Sequence, residues 1–305
     1  MGDTPNAQTA SLDRQSEMNG HAASADIPRS SIMEGELAGQ ANTSTVPRGV
    51  ARAEVTADLK PENPLELRPV KVGYTPKSYI PNTPLSVATI SFILGITFSF
   101  GIAVCFLGHT WNLWWSQWPL GVYIAAWATF HWGEFAVTAG WNREKCSVDS
   151  FLLENGATYH IAHGSALIEY LTTLYFKPEL KSHPYASLIG LVFVFLGQAL
   201  RSAAMIHAST SFSHQVAFRK LRSHTLVTDG VYAWFRHPSY AGFFYWALGT
   251  QLLLQNPVNF VLFSIILWRF FYYRIKPEEQ ALIRFFGQEY VQYRSRVGTK
   301  IPFIP

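Results

Sequence analysis

The side chains of this 305-residue chain that are best suited to chemistry crowd into two short stretches. In Leu226 to Gln255, LVTDGVYAWFRHPSYAGFFYWALGTQLLLQ, Arg236, His237 and Tyr240 stand just ahead of an apolar run, and in LWRFFYYRIKPEE, Arg269 and Arg274 precede Glu278 and Glu279. Arginines at the end of an apolar helix call for anionic partners, and a planar guanidinium forks well onto a carboxylate. For Arg269 snorkelling to lipid headgroups is the simpler reading, and for Arg274 a salt bridge to Glu278 is the structural alternative. The aromatic side chains of Tyr232, Trp234, Phe235, Tyr245 and Trp246 suit either a sulfonium or ammonium cation or an interfacial belt. The pattern is that of a polar site at the lip of a bilayer segment, taking one ligand from water and another from lipid.

A site of that kind needs membrane helices to position it, and the composition supplies them. With 49% hydrophobic, 15% aromatic and 14% charged residues, the chain reads as an integral membrane protein. Apolar runs of roughly 17 to 24 residues recur after Pro81, and no strand-like alternation suggests a barrel. The sequence predicts helices over Leu85–Leu107, Pro119–Ala139, Gly156–Phe176 and Tyr185–His207. A hairpin of Ser239–Leu254 and Val258–Tyr273 follows, turning at Asn256-Pro257. A polar helix is predicted from Arg274 onward, started by Pro277 and two glutamates. Gly95, Gly101 and Gly108 would allow close contact of the first helix.

The expected fold is thus an all-α polytopic membrane protein with about six transmembrane helices, the last two a hairpin, and a cytosolic cofactor-binding C-terminal region. Residues 1–78 read as a disordered tail, 79–207 as membrane helices one to four, and 208–305 as the catalytic region with its hairpin at 238–274. Residues 1–80 hold eight Lys/Arg against ten Asp/Glu, and the remainder sixteen against ten. Arg143, Lys145, Arg219, Lys220, Arg222 and Arg236 fall on one side with both termini, and Lys177 and Lys181 on the other, which predicts cytosolic termini and a cytosolic site. Without a contiguous basic patch, nucleic acid is not an expected partner.

Within the helices, Glu134 is an acidic group in a span, and such groups are either functional or packed against a partner. His160 and His163 share a helix face, but no second histidine box accompanies them and no metal is assigned. Cys105 and Cys146 have neither metal-ligand spacing nor a disulfide framework.

The stretch HTLVTDGVYAWFRHPSYAGFFYWALGTQ, followed by LWRFFYYRI, two glutamates and FFGQEYVQYRSRVGTKIPFI, closely resembles isoprenylcysteine carboxyl methyltransferases. FHWGEFAVTAGWN and SVDSFLL are similar to that family as well, so the resemblance covers about Phe130 to Ile304. It implies methyl transfer from S-adenosylmethionine to the carboxylate of a C-terminal prenylated cysteine, in the endoplasmic reticulum membrane. Prenylated proteins such as small GTPases and lipidated peptides are the implied partners. By motif, His224, Thr225, Leu226 and Val227 would border the adenosine, and Tyr232 with His237, Pro238, Ser239 and Tyr240 would hold the methionine part. Glu278 would bind polar groups of the cofactor, and Arg274 the substrate carboxylate, with the helix face near Glu134 lining a lateral opening for the prenyl chain.

Two departures from the family pattern stand out. Ala217 occupies a position usually polar, so a cofactor contact would be lost or moved to Gln215, and Lys276-Pro277 predicts a helix break between Arg274 and Glu278. The shorter element Arg-His-Pro-x-Tyr-x-Gly also resembles membrane sterol reductases and phospholipid N-methyltransferases, and a non-enzymatic membrane scaffold is the remaining alternative. A scaffold has no reason to bind S-adenosylmethionine.

Overall fold

The computed structural model describes residues 79–214, 220 and 224–305. The predicted N-terminal tail, Gln215 and Ala217 lie outside the described residues. Among the described residues the chain is all-helical: α1 (Pro84–Leu107), α2 (Trp118–Trp141), α3 (Ala157–Phe176), α4 (Pro184–Ala208), α5 (Pro238–Leu253), α6 (Pro257–Phe286) and α7 (Gln288–Arg296), joined by short 3-10 turns. Proline opens α1, α2, α4, α5 and α6 within their first two positions, where its missing N–H costs nothing and its fixed φ suits the helix.

Among the described residues three segments are long and apolar enough to cross a membrane by length and composition: Pro84–Trp111, Pro184–Ser211 and Pro257–Phe286. Large apolar side chains such as Phe92, Ile96 and Phe106 of α1 and Phe195 of α4 are exposed, as a lipid-facing surface requires. By contrast α5 has 16 residues, about 24 Å of axis, and most of it is buried.

Burial of α5 comes from its antiparallel seat on α4, where the backbones touch. A Cβ on Gly197 would stand 2.6 Å from Trp246 N, and one on Gly242 2.7 Å from Arg201 N. Small residues let the helices approach this closely, which places Arg201 of α4 beside Ser239 of α5. Gly101 of the first helix makes a similar approach to α2, its Cβ position being 2.6 Å from Ala125 N, whereas Gly95 meets nothing.

The turn between α5 and α6 is fastened from α3. Glu169, which had interrupted the third apolar run, accepts from the backbone N–H of Val258 at 2.9 Å and of Asn259 at 2.7 Å, an N-terminal cap from outside the helix. Asn256 Nδ2 donates to Ala166 O at 2.8 Å, and Lys181 Nζ donates to Gln255 O at 2.8 Å.

One expected boundary is overturned. The helix does not break at Lys276-Pro277: α6 runs unbroken from Pro257 to Phe286 with Pro277 inside it. Proline removes one backbone donor, but Ile275 and Glu279 on either side are buried against the rest of the molecule, and that packing holds the helix through the defect. Arg274 and Glu278 therefore sit one turn apart on a single rigid element.

Candidate active site

Arg236 and Glu279, two of the ionic residues singled out at the lip, turn out to hold the site's frame together. Both are nine-tenths or more buried. Arg236 Nε donates to Glu279 Oε1 at 2.5 Å, and its terminal nitrogens donate to Val297 O and Pro305 O, each at 2.6 Å. Arg294 Nε stands 3.1 Å from Glu279 Oε2. This cluster fastens the end of the chain under the strap, residues 224–237, that leads into α5. Within that strap Gly230 has φ +56°, and a Cβ there would meet the His207 ring at 2.3 Å, so only glycine can make the turn.

The strap, α5 and the far half of α6 enclose a cavity of about 700 Å³ counted with its open mouth. Thr225, Leu226, Val227, Tyr232, His237, Pro238, Ser239, Tyr240 and Glu278 line it, together with Tyr290 and Tyr293 of α7. His224, expected to border the same ligand, is not among the lining residues; its Nε2 is buried with no partner among the described residues. Burial, with Lys145 and Lys220 adding to it, holds the His224 imidazole below its ordinary pKa. Burial likewise lifts Tyr232 and Tyr290 well above the usual phenol range and Tyr293 to about 12, so all three remain neutral hydroxyls. The Tyr290 hydroxyl is buried and unpartnered among the described residues.

A second cavity, about 1110 Å³ with its mouth, lies on the other side of Ser239 and Tyr240. Its lining is apolar along α6, through Phe263, Leu267 and Phe271, and ends at Arg274. Phe212, Ser213, Ser239 and Tyr240 line both cavities, so one thin wall separates a more polar compartment from a more apolar one.

Tyr240 is the hinge of that wall chemically. Its hydroxyl donates to Glu278 Oε2 at 2.6 Å and accepts from Arg274 Nε at 2.9 Å. Its ring stacks on His237, with centroids 5.5 Å apart and planes 9° from parallel, and lies 5.4 Å from the Arg274 guanidinium carbon. Arg274 and Glu278 are thus joined through Tyr240 rather than by the direct salt bridge considered from spacing. The other arm of Arg274 donates to the His214 carbonyl. Arg269 stands apart from both cavities, its guanidinium 5.1 Å from the Tyr273 ring.

Glu134 does not itself line either cavity. Arg201 of α4 donates to it through Nε and, at 2.8 Å, through Nη2, and His214 Nε2 lies 2.9 Å from its second oxygen. Arg201 also reaches Ser239 O and Oγ at 3.2 Å and lines the apolar cavity. Sequence reasoning missed Arg201 and His214. Arg201 carried the same signal as Glu134, a charge in an apolar helix, but at the polar end of α4 it read as an approach to the loop. The imidazoles of His131 and His163 are taken up by Tyr159, the Phe151 carbonyl and Tyr123, at 2.7–2.8 Å.

The chain is similar to known proteins in both sequence and fold. Residues 188–284 match the model of the isoprenylcysteine carboxyl methyltransferase family. The chain is 44% identical over 218 residues to the protein-S-isoprenylcysteine O-methyltransferase of Mus musculus, covering 72% of this chain and 75% of that one. It is 47% identical over 189 residues to the Saccharomyces cerevisiae enzyme of that name, covering 60% and 79%. Among solved structures it resembles a eukaryotic intramembrane Ras methyltransferase of the isoprenylcysteine carboxyl class, with TM-score 0.68, 39% identity and coverage of 72% and 76%.

Proposed function

This chain belongs to the isoprenylcysteine carboxyl methyltransferase family and methyl-esterifies the carboxylate of a C-terminal prenylated cysteine; we propose that its methyl donor is S-adenosylmethionine, held in the polar cavity. The residues fit that donor: a carboxylate, Glu278, and four phenols, Tyr232, Tyr240, Tyr290 and Tyr293, surround the space, and the Tyr290 hydroxyl is buried with no partner among the described residues. Glu278 would take the ligand's ammonium or ribose hydroxyls, Tyr232 and His237 to Tyr240 its methionine end, and Thr225 to Val227 its adenosine. When bound, S-adenosylmethionine supplies an electrophilic methyl group on a sulfonium.

Arg274 is the substrate's anchor. It stands where the apolar cavity meets the shared wall, and its guanidinium binds the cysteine carboxylate in place of the His214 carbonyl. A peptide α-carboxyl has a reference pKa of roughly 3.5 and is ionised at neutral pH, so no general base is required. The protein's work is then to orient the carboxylate toward the methyl group and to keep water from solvating it. Tyr240 fixes Arg274 relative to Glu278, and with it one ligand relative to the other. His237 is a binder. Glu134 acts through Arg201 and His214, holding both at the cavity edge.

The apolar cavity takes the prenyl chain. Each buried methylene contributes about 0.8 kcal/mol, so a farnesyl or longer chain concentrates in the bilayer while its carboxylate stays at the interface. Entry is sideways from lipid, supported by Ile266 and Phe270, which line the cavity yet are 39% and 51% exposed. Six membrane crossings with both termini and the site on the cytosolic side are supported by the asymmetry of basic loop residues. Residues 208–305 form the catalytic region, residence is in the endoplasmic reticulum, and small GTPases are among the substrates.

The observation that carries this reading is the single wall, centred on Tyr240, between a polar cavity and an apolar one ending at an arginine. Transfer of labelled methyl from S-adenosylmethionine to a short prenylcysteine tests it. Base-labile label is expected with the natural sequence and is lost with Arg274→Ala; its absence from the former would sink the function, and its persistence in the latter the site.

A further inference from the structure

The segment 297–305, beyond α7, has an irregular backbone yet lies against α5 and α6. Its Ile301 and Ile304 are buried among Ala241 and Phe244 of α5 and Phe271 and Ile275 of α6. Those helices also meet its carbonyls: the Tyr245 hydroxyl donates to Lys300 O at 2.6 Å and Trp268 Nε1 to Pro302 O at 3.1 Å. Within the segment Thr299 Oγ1 donates to Ile304 O at 2.5 Å and the Ile304 N–H to Ile301 O at 3.1 Å. Pro302 and Pro305 have no N–H to satisfy. Irregular backbone is tolerated beside hydrocarbon only when its polar groups are met in this way.

Between the two buried isoleucines, Phe303 points outward. It is 90% exposed and has φ +59°, a left-handed conformation that is uncommon for a bulky side chain. The α6 face beside it shows which surroundings it meets. Val261, Ile265, Trp268, Tyr272 and Lys276 follow one another along that face at spacings of three or four residues. Val261 and Ile265 are exposed. Trp268 stacks on Tyr272, with centroids 5.1 Å apart, and Lys276 Nζ donates to the Tyr272 hydroxyl at 2.6 Å. Aliphatic groups, then indole and phenol, then an ammonium is the order of hydrocarbon, interface and headgroup. Pro302, with Phe303 next to it, is bonded at the indole level.

We propose that residues 299–304 form a lipid-seated hook, with Phe303 inserted among the acyl chains just beneath the headgroups; its partner is the bilayer. The hook also braces the polar cavity. Val297 O and Pro305 O, on either side of it, accept from Arg236, and Glu279, the partner of Arg236, has Oε1 3.2 Å from His237 Nε2. This rests on α6 crossing the membrane and not on which ligands the cavities hold.

The test places a nitroxide on single cysteines of the full chain in lipid nanodiscs, with Cys105→Ser and Cys146→Ser as background, and compares its collisions with oxygen and with a water-soluble nickel chelate. Phe303→Cys is expected to favour oxygen, as Ile265→Cys does, and Gln292→Cys, exposed on α7, to favour the chelate. A label at 303 that follows the one at 292, or is immobilised against protein, while the one at 265 stays in lipid overturns the hook and leaves the crossing of α6 standing. A label at 265 that favours the chelate removes the crossing and the hook with it. Phe303→Leu is expected to keep the methyl-transfer rate and Phe303→Asp to lower it severalfold by driving the hook out of the interface. Equal rates in those two variants would overturn the brace on Arg236.

Discussion

At the scale of single residues, the site turns on one hydroxyl. Tyr240 OH lies between Arg274 Nε and Glu278 Oε2 at 2.9 and 2.6 Å, so in the proposed site it would fix the spacing of substrate and cofactor without touching the reacting atoms. Hydrogen bonds to charged groups contribute about 1.5–3 kcal/mol. Tyr240→Phe keeps the ring stacked on His237 and severs both bonds; kcat/KM should fall roughly 10- to 100-fold, with KM rising for both ligands. A rise in one KM alone would show that the two sites are not coupled through this atom. His237→Ala should weaken cofactor binding and leave the pH–rate profile level around neutrality, because the nucleophile is already ionised there. Loss of an acidic limb in that variant would make His237 a base instead.

At the scale of elements, two devices set where those residues stand. One is the close packing of α4 on α5 at Gly197 and Gly242. Gly242→Leu would force the backbones apart and misplace Arg201 and Ser239 together, so both melting temperature and activity should drop. The other is the buried cluster of Glu134, Arg201 and His214. Removing one partner of a buried ion pair costs about 3–5 kcal/mol, so Arg201→Met should destabilise the protein strongly. Replacing both charged groups, Glu134→Leu with Arg201→Met, should recover much of that stability but not activity. Thermal unfolding in detergent and the methyl-transfer rate separate the two effects. The rigidity of α6 through Pro277 belongs here as well, since it is what keeps Arg274 and Glu278 in register.

At the scale of the whole molecule, the arrangement explains why the chemistry sits in lipid. Exposed apolar side chains on α1, α4 and α6 hold the helices in hydrocarbon, and the apolar cavity opens on that side. The polar cavity lies behind the strap and α7, on the side of the Arg236 and Glu279 cluster that fastens the end of the chain. On the proposed reading a substrate would enter along its own partition gradient while its carboxylate met the donor across the Tyr240 wall.

Much of this was legible in the amino-acid sequence. Apolar run lengths and prolines at helix starts located five of the helices to within a few residues, and the start of α6 but not its end, because backbone hydrogen bonds and burial in lipid leave a chain few alternatives. The motif around Arg236 to Tyr240 pointed to the candidate site, since charged and aromatic groups at the end of a membrane helix are costly without a purpose. What the sequence determined by itself was therefore the class of fold, the local elements and the residue types of the site. Partnership was decided only in three dimensions. Whether Arg236 binds a ligand or a glutamate, whether Glu134 meets substrate or Arg201, and whether Pro277 breaks a helix all depend on groups distant in the chain. Packing brings those groups together, and a buried charge pairs with whichever opposite charge the fold puts within reach.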